Sequence, residues 1–142
     1  MSRNEQRLPD YLGHILGAIE RIARYTRGMD EAAFLGNEMA QDAVIRNFEI
    51  IGEASRNIER RHPEFVVKHP ELTLGDAYRF RNAMAHGYFT VDLGIVWKTA
   101  TTDLPEMKTR IESATQDLHE SQEQVGHIRP GESSFNGNSG NA

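Results

Sequence analysis

Residues 81–88 of the chain, RNAMAHGY, place an arginine, an amide, a histidine and a tyrosine within eight positions. The histidine is His86, and an imidazole both accepts and donates protons near neutral pH. The arginine is Arg81, whose forked guanidinium is a permanent cation that stabilises charge developing on phosphorus. Cleavage of RNA through its own 2′-hydroxyl needs a proton acceptor, a proton donor and such a cation, but no metal ion. This pair of residue types therefore suits metal-independent phosphodiester cleavage.

The spacing of these residues leaves a second interpretation open. On a helix, Asn82 and His86 share a face because they are four residues apart, whereas Arg81 lies about 140° from His86. Gly87 lets the chain leave the helix at His86, so the long arginine side chain can reach the histidine. A histidine at a helix C-terminus can equally do no more than balance the helix dipole. The residues alone are compatible with either role.

The elements that must position this segment are predicted to be helices, because helical periodicity dominates the chain and strand alternation is nearly absent. The periodicity predicts a first amphipathic helix over residues 8–23, ending near Gly28. A second helix is predicted from Glu38 to Arg61, because Pro63 disfavours helix at the residue before it. The connector that follows is compatible with a loop or a single helical turn.

Two further helices complete the predicted fold. The third covers residues 72–86, and the fourth begins near Asp92, a good N-cap, with Pro105 inside it to kink or split it. Residues 126–142 consist mainly of Gly, Ser and Asn and are predicted to be a disordered tail. We therefore expect one all-α domain over residues 1–125, an antiparallel bundle of four or five helices.

The second helix has a broad apolar side and a narrower polar side. Its apolar width suggests that more than one neighbour covers it. The polar side includes Arg46, Glu49 and Glu53, which could either support a site or form a salt-bridged surface exposed to solvent.

Composition excludes several classes of protein. The chain has 142 residues and no cysteine, which rules out disulfides, zinc–thiolate sites and thiol catalysis. No apolar stretch approaches the roughly 20 residues that span a bilayer, and the first ten residues lack the apolar core of a signal peptide. We therefore expect a cytoplasmic protein without a membrane partner. A formal net charge of −5 argues against coating nucleic acid by bulk electrostatics, so an RNA substrate would need a local basic site.

Motifs for the common cofactors are also missing from the sequence. It contains no P-loop, no dinucleotide-binding GxGxxG, no GxSxG and no HExxH. The six histidines do not pair at metal-ligand spacing with a carboxylate on one helix face. We expect neither a metal nor a cofactor.

The arrangement of Arg81, His86 and Tyr88 matches the Rx4HxY motif of the HepT-like toxins, a branch of the HEPN superfamily. Other stretches resemble the same family in the same order: YLGHILGAIERIARYTRG (11–28), QDAVIRNFEIIGEASRNI (41–58), RNAMAHGYFTVDLGIVW (81–97) and DLPEMK (103–108). The resemblance covers roughly residues 8–120 and leaves out the C-terminal tail.

This resemblance implies a helical homodimer in which two copies of the motif face each other across a cleft and form a composite ribonuclease site. Such proteins are typically encoded beside a minimal nucleotidyltransferase that acts as antitoxin, and tRNA is a reported substrate class. Inhibition in the family can proceed by AMPylation, the transfer of AMP to the motif tyrosine. The leading expectation is thus a metal-independent endoribonuclease toxin. The alternative is a non-catalytic helical dimer that presents nucleotide or substrate to a nucleotidyltransferase.

Carried over by position, the resemblance makes Arg81 and His86 the catalytic pair and Tyr88 the site of AMPylation. Asn82 would orient the catalytic groups or a phosphate oxygen. The residues implied as supports of the cleft or of the dimer contact are Arg46, Glu49 and Glu53.

Overall fold

The structure is a computed structural model, and it describes residues 2–85 and 92–127. Within those ranges the chain is all-α, as predicted, with helices and no strand. The α-helices are α1 (Ser2–Tyr25), α2 (Glu31–Leu35), α3 (Glu38–Arg61), α4 (Pro63–Lys68), α5 (Leu74–Ala85), α6 (Leu93–Lys98) and α7 (Leu104–His127). A 3₁₀ turn (Pro70–Leu72) precedes α5, and a π-helical turn (Thr99–Asp103) joins α6 to α7.

Helix α3 lies between α1 and α5 and packs against both. Its apolar side is almost fully buried, which agrees with the prediction that more than one neighbour covers it. The rings of Phe48 on α3 and Phe80 on α5 meet edge to face with centroids 4.9 Å apart. On the other side, Arg21 of α1 donates a 2.8 Å hydrogen bond to the buried amide of Asn47. The ring contact fixes α5 against α3, the hydrogen bond fixes α1 against α3, and α5 carries the first half of the motif.

The bounds of α3 are those predicted from the sequence, and an N-cap explains where it begins. The side chain of Asn37 accepts a hydrogen bond from the backbone N–H of Ala40, at 3.0 Å. The short helix α2 was not predicted, because five residues are too few for apolar periodicity to register. It has its own cap, in which Asp30 accepts from the N–H of Ala33 at 2.8 Å.

Helix α5 begins two residues later than predicted. Thr73 has a left-handed backbone conformation (φ 52°), which separates the 3₁₀ turn from α5. The last described residue of α5 is Ala85, so the predicted end at His86 and Gly87 lies outside the described residues.

The predicted fourth helix is split before Pro105, as expected. Asp92 caps its start by accepting from the N–H groups of Gly94 and Ile95. Pro105 has no N–H to donate, and its ring would clash with the carbonyl four residues earlier. The helix widens there, and the N–H of Leu104 bonds the carbonyl of Thr99, five residues back.

The described residues up to Ile111 form one compact unit, and the described residues from Glu112 to His127 belong to a second. The described candidate residues all belong to the first unit. The domain boundary expected near residue 125 and the disorder expected for residues 126–142 stay predictions. No helix in the described part of the chain has the length and apolar character needed to cross a membrane.

Candidate functional site

Arg81 lies on the side of α5 that faces α3, and its guanidinium has partners on both helices. One terminal nitrogen, Nη2, is 3.7 Å from a carboxylate oxygen of Glu53 on α3. The other, Nη1, donates a 3.1 Å hydrogen bond to the side-chain oxygen of Asn82. About a third of the Arg81 side chain (31%) is exposed, so its outer edge can meet a ligand.

The inner nitrogen of Arg81 is in a different environment. Its Nε is buried and has no hydrogen-bond partner among the described residues. A buried charged donor without a partner costs free energy, so it forms a strong hydrogen bond with an acceptor that reaches it. An anionic oxygen is such an acceptor.

Gly52 of α3 permits the close approach of Arg81. A Cβ atom added at Gly52 would lie 2.3 Å from Cβ and 2.6 Å from Cγ of Arg81. Atoms cannot approach so closely, so only glycine allows the arginine side chain to lie against the backbone of α3. Sequence reasoning did not single out Gly52, although a glycine inside a helical pattern is a recognised signal of close packing.

Arg81 lines one side of a pocket of about 280 Å³ between α1, α3 and α5. Its walls bring together the sequence-predicted residues Arg46, Glu49, Glu53 and Arg81. Arg46 and Glu49 also form an ion pair at 3.4 Å, but both are well exposed, and such pairs stabilise a fold by about 0–1 kcal/mol.

The pocket also contains residues that sequence reasoning did not assign to a site. Asn57 lies four residues beyond Glu53 on the same side of α3, so its helical spacing was a usable signal. His14 comes from α1, and no local pattern could have placed it beside α5. Ile50 and Ala54 supply the apolar part of the lining.

Two of the predicted site residues, His86 and Tyr88, lie outside the described residues. Their roles therefore stay predictions. In the described part of the chain, no group of three or more His, Asp or Glu side chains is placed to hold a metal ion.

A larger pocket, of about 350 Å³, lies elsewhere in the same unit. Its lining includes the apolar side chains of Phe48, Phe80 and Met107 and the charged side chains of Asp103 and Arg110. None of the candidate residues that the structure describes lines it. The 280 Å³ pocket, hereafter the Arg81 pocket, is the one associated with the motif.

Comparisons with known proteins identify the family of the chain. The family model described as "Ribonuclease HepT-like" matches residues 15–114. A relative from Thermococcus cleftensis, named "Probable ribonuclease HepT", is 43% identical over 103 residues, which cover 72% of this chain and 91% of the relative. "Putative RNase MJ0125" of Methanocaldococcus jannaschii is 36% identical over 110 residues, covering 78% of this chain and 92% of the relative.

A longer protein of Methanocaldococcus jannaschii, named "Gamma-glutamylcyclotransferase and putative RNase MJ0434", is 38% identical over 108 residues. That match covers 76% of this chain and 47% of the relative, so the chain spans about half the length of this relative. No solved structure matches the chain significantly. From the family match and the extent of these similarities, the chain belongs to the HepT-like ribonuclease family.

Proposed function

We propose that this chain is a metal-independent endoribonuclease that cleaves RNA, with tRNA as the substrate class. The observation that carries the proposal is the setting of Arg81. Its guanidinium is held by Glu53 and Asn82, and its buried Nε lacks a partner among the described residues. Such a cation is preorganised for a phosphate, and family membership supplies the reaction class.

In this mechanism His86 removes the proton from a ribose 2′-hydroxyl, and the 2′-oxygen then attacks the adjacent phosphorus. The bond between phosphorus and the 5′-oxygen breaks, and an imidazolium donates a proton to that oxygen. The products are a 2′,3′-cyclic phosphate and a free 5′-hydroxyl. Arg81 stabilises the additional negative charge on the phosphoryl oxygens in the transition state.

The geometry of in-line attack explains why two chains would be needed. The attacking and leaving oxygens lie on opposite sides of phosphorus, so one imidazole cannot serve both. Two copies of His86, one from each chain of a homodimer, would supply the base and the acid. The cleft between the chains would then be a composite site.

The proposed cellular role is that of a toxin in a toxin–antitoxin pair. A minimal nucleotidyltransferase would inactivate the chain by transferring AMP to the hydroxyl of Tyr88. This addition places a phosphate anion beside Arg81 and His86, where it would pair with the arginine and exclude the RNA phosphate. This part of the proposal rests on the resemblance to HepT-like toxins.

The decisive experiment incubates the purified protein with a total tRNA pool and resolves the products by length and end chemistry. Wild type should cleave in the presence of EDTA and leave 2′,3′-cyclic ends. The His86→Ala variant should lose on the order of 10² to 10⁴ in rate. His119→Ala is the matched control. His119 is an exposed histidine of α7, so its replacement should leave the cleavage rate unchanged. Cleavage that needs a metal ion, or that survives His86→Ala, would contradict the mechanism.

A further inference from the structure

The lining of the Arg81 pocket is divided by chemical character. The guanidinium of Arg81 lines the pocket from α5. Apolar surface comes from Ile50 and Ala54 of α3. The remaining α3 lining consists of polar groups: the carboxylates of Glu49 and Glu53, the guanidinium of Arg46 and the amide of Asn57. A ligand that fills this pocket must satisfy guanidinium cations, an apolar surface and carboxylates together.

A nucleotide meets these three requirements, whereas a phosphate chain does not. A phosphate chain would leave the apolar surface and the carboxylates of Glu49 and Glu53 without complementary groups, whereas a single phosphodiester can lie at Arg81. The apolar surface suits the flat face of a base. Carboxylates can only accept hydrogen bonds, so the edge of the base that meets Glu49 or Glu53 must present donors.

Guanine fits a carboxylate better than the other three bases. Its Watson–Crick edge carries two adjacent donors, the N1–H and the exocyclic amino group, which match the two oxygens of one carboxylate. Adenine and cytosine each place a ring acceptor beside the amino donor, and uracil flanks its one N–H with two carbonyls. A carboxylate repels those acceptors. Protein side chains read single-stranded RNA on these same edges.

Of the two carboxylates, Glu49 is the better placed to read a base. Glu53 already lies 3.7 Å from Arg81 and helps to hold it. Glu49 is engaged through one oxygen by Arg46, whose side chain is 70% exposed. That exposed pair gives way at little cost when a base approaches.

We propose that the Arg81 pocket is a guanine-binding subsite, in which Glu49 reads the base and Arg81 holds the attached phosphate. The subsite rests on the proposed ribonuclease function and would make cleavage selective for a guanosine next to the scissile bond.

The test measures binding, which does not depend on cleavage. The full-length protein is titrated with the 5′- and 3′-monophosphates of guanosine, inosine, adenosine, cytidine and uridine, by calorimetry. Guanosine monophosphate should bind at least about tenfold more tightly than the adenosine, cytidine and uridine compounds, because a bidentate contact discriminates by that order. Inosine, which lacks the amino group, should fall between them.

Variants separate the two halves of the subsite. Glu49→Gln should remove the preference for guanosine while leaving the weaker binding of the other nucleotides unchanged. Arg81→Ala should weaken all five nucleotides alike. The matched control is Glu64→Gln. Glu64 is an exposed carboxylate of α4 outside the pocket, so this substitution should leave the affinity for every nucleotide unchanged. Circular dichroism of each variant checks that the helices are intact.

The possible outcomes distinguish this inference from the function on which it rests. Equal binding of all bases, no binding, or an unchanged preference in Glu49→Gln would overturn the subsite, even if wild type cleaves RNA. Selective guanosine binding that Glu49→Gln abolishes would support the subsite. If such a protein cleaved no RNA in the parallel assay, the ribonuclease proposal alone would fail.

Discussion

At the scale of single residues, the shape of the Arg81 side chain matters as much as its charge. The guanidinium meets Glu53 and Asn82 through two different nitrogens, and a third, Nε, remains for an acceptor. The ammonium group of a lysine is a single point charge, so it cannot donate hydrogen bonds in the three directions that the guanidinium nitrogens provide. We expect Arg81→Lys to keep the fold and lower the single-turnover cleavage rate by on the order of 10².

A neighbouring arginine provides the control for this prediction. Arg79 lies two residues earlier on α5 and pairs with Asp76 in an exposed ion pair. Arg79→Lys should therefore cleave at the wild-type rate. Equal rates for wild type and Arg81→Lys would show that only the charge at position 81 matters.

Tyr88 is predicted to be the acceptor of AMP. Phenylalanine keeps the ring but lacks the oxygen that would be adenylylated. When Tyr88→Phe is co-expressed with the cognate nucleotidyltransferase, its intact mass should show no added AMP. Tyr25→Phe, which alters a partly exposed tyrosine at the end of α1, should be modified like wild type. A Tyr88→Phe protein that gains AMP would place the modification on another residue.

At the scale of elements, the contact between α3 and α5 positions the candidate catalytic cation. The Gly52→Ala substitution would put a methyl group into the space occupied by Cβ and Cγ of Arg81. Either the two helices separate or Arg81 moves. We expect a stability loss of about 1–3 kcal/mol from overpacking and a clear loss of cleavage in the folded variant.

A second glycine-to-alanine substitution tests whether the effect is specific to this contact. Gly13 lies inside α1, and an added Cβ would meet nothing within 4 Å. Gly13→Ala should raise the free energy of unfolding by about 0.4–1 kcal/mol and leave cleavage unchanged. Thermal melts and cleavage rates measured well below the melting temperature would separate folding from positioning. Normal cleavage by folded Gly52→Ala would contradict the positioning role.

Some features of the helices could be predicted from the sequence, and others could not. The bounds of α3 were predicted correctly because its periodicity is long and Pro63 stops it. The split near Pro105 was predicted as well, but the π-helical form was not, since it depends on how the local hydrogen bonds rearrange. His14 and Gly52 were missed, because their importance arises only when α1 and α5 pack on α3.

At the scale of the whole molecule, the acidic net charge limits how RNA can be bound. A chain of formal charge −5 repels a polyanion at long range, so binding must come from a few local contacts. The Arg81 pocket itself combines cations with carboxylates. This composition favours selective recognition of one nucleotide over tight, nonspecific binding along the backbone.

The chain is predicted to form a homodimer. The width of the apolar side of α3 no longer requires a second chain, because α1 and α5 of the same chain already cover it. The argument for two chains rests on the family resemblance and on the chemistry, since in-line cleavage needs a base and an acid on opposite sides of phosphorus and one His86 cannot be both. Light scattering at micromolar concentration, without antitoxin, should give twice the 16.1 kDa of one chain. Dilution that separates the chains should lower the cleavage rate per chain in proportion to the dimer lost. A monomer that cleaves at full rate would refute the composite site.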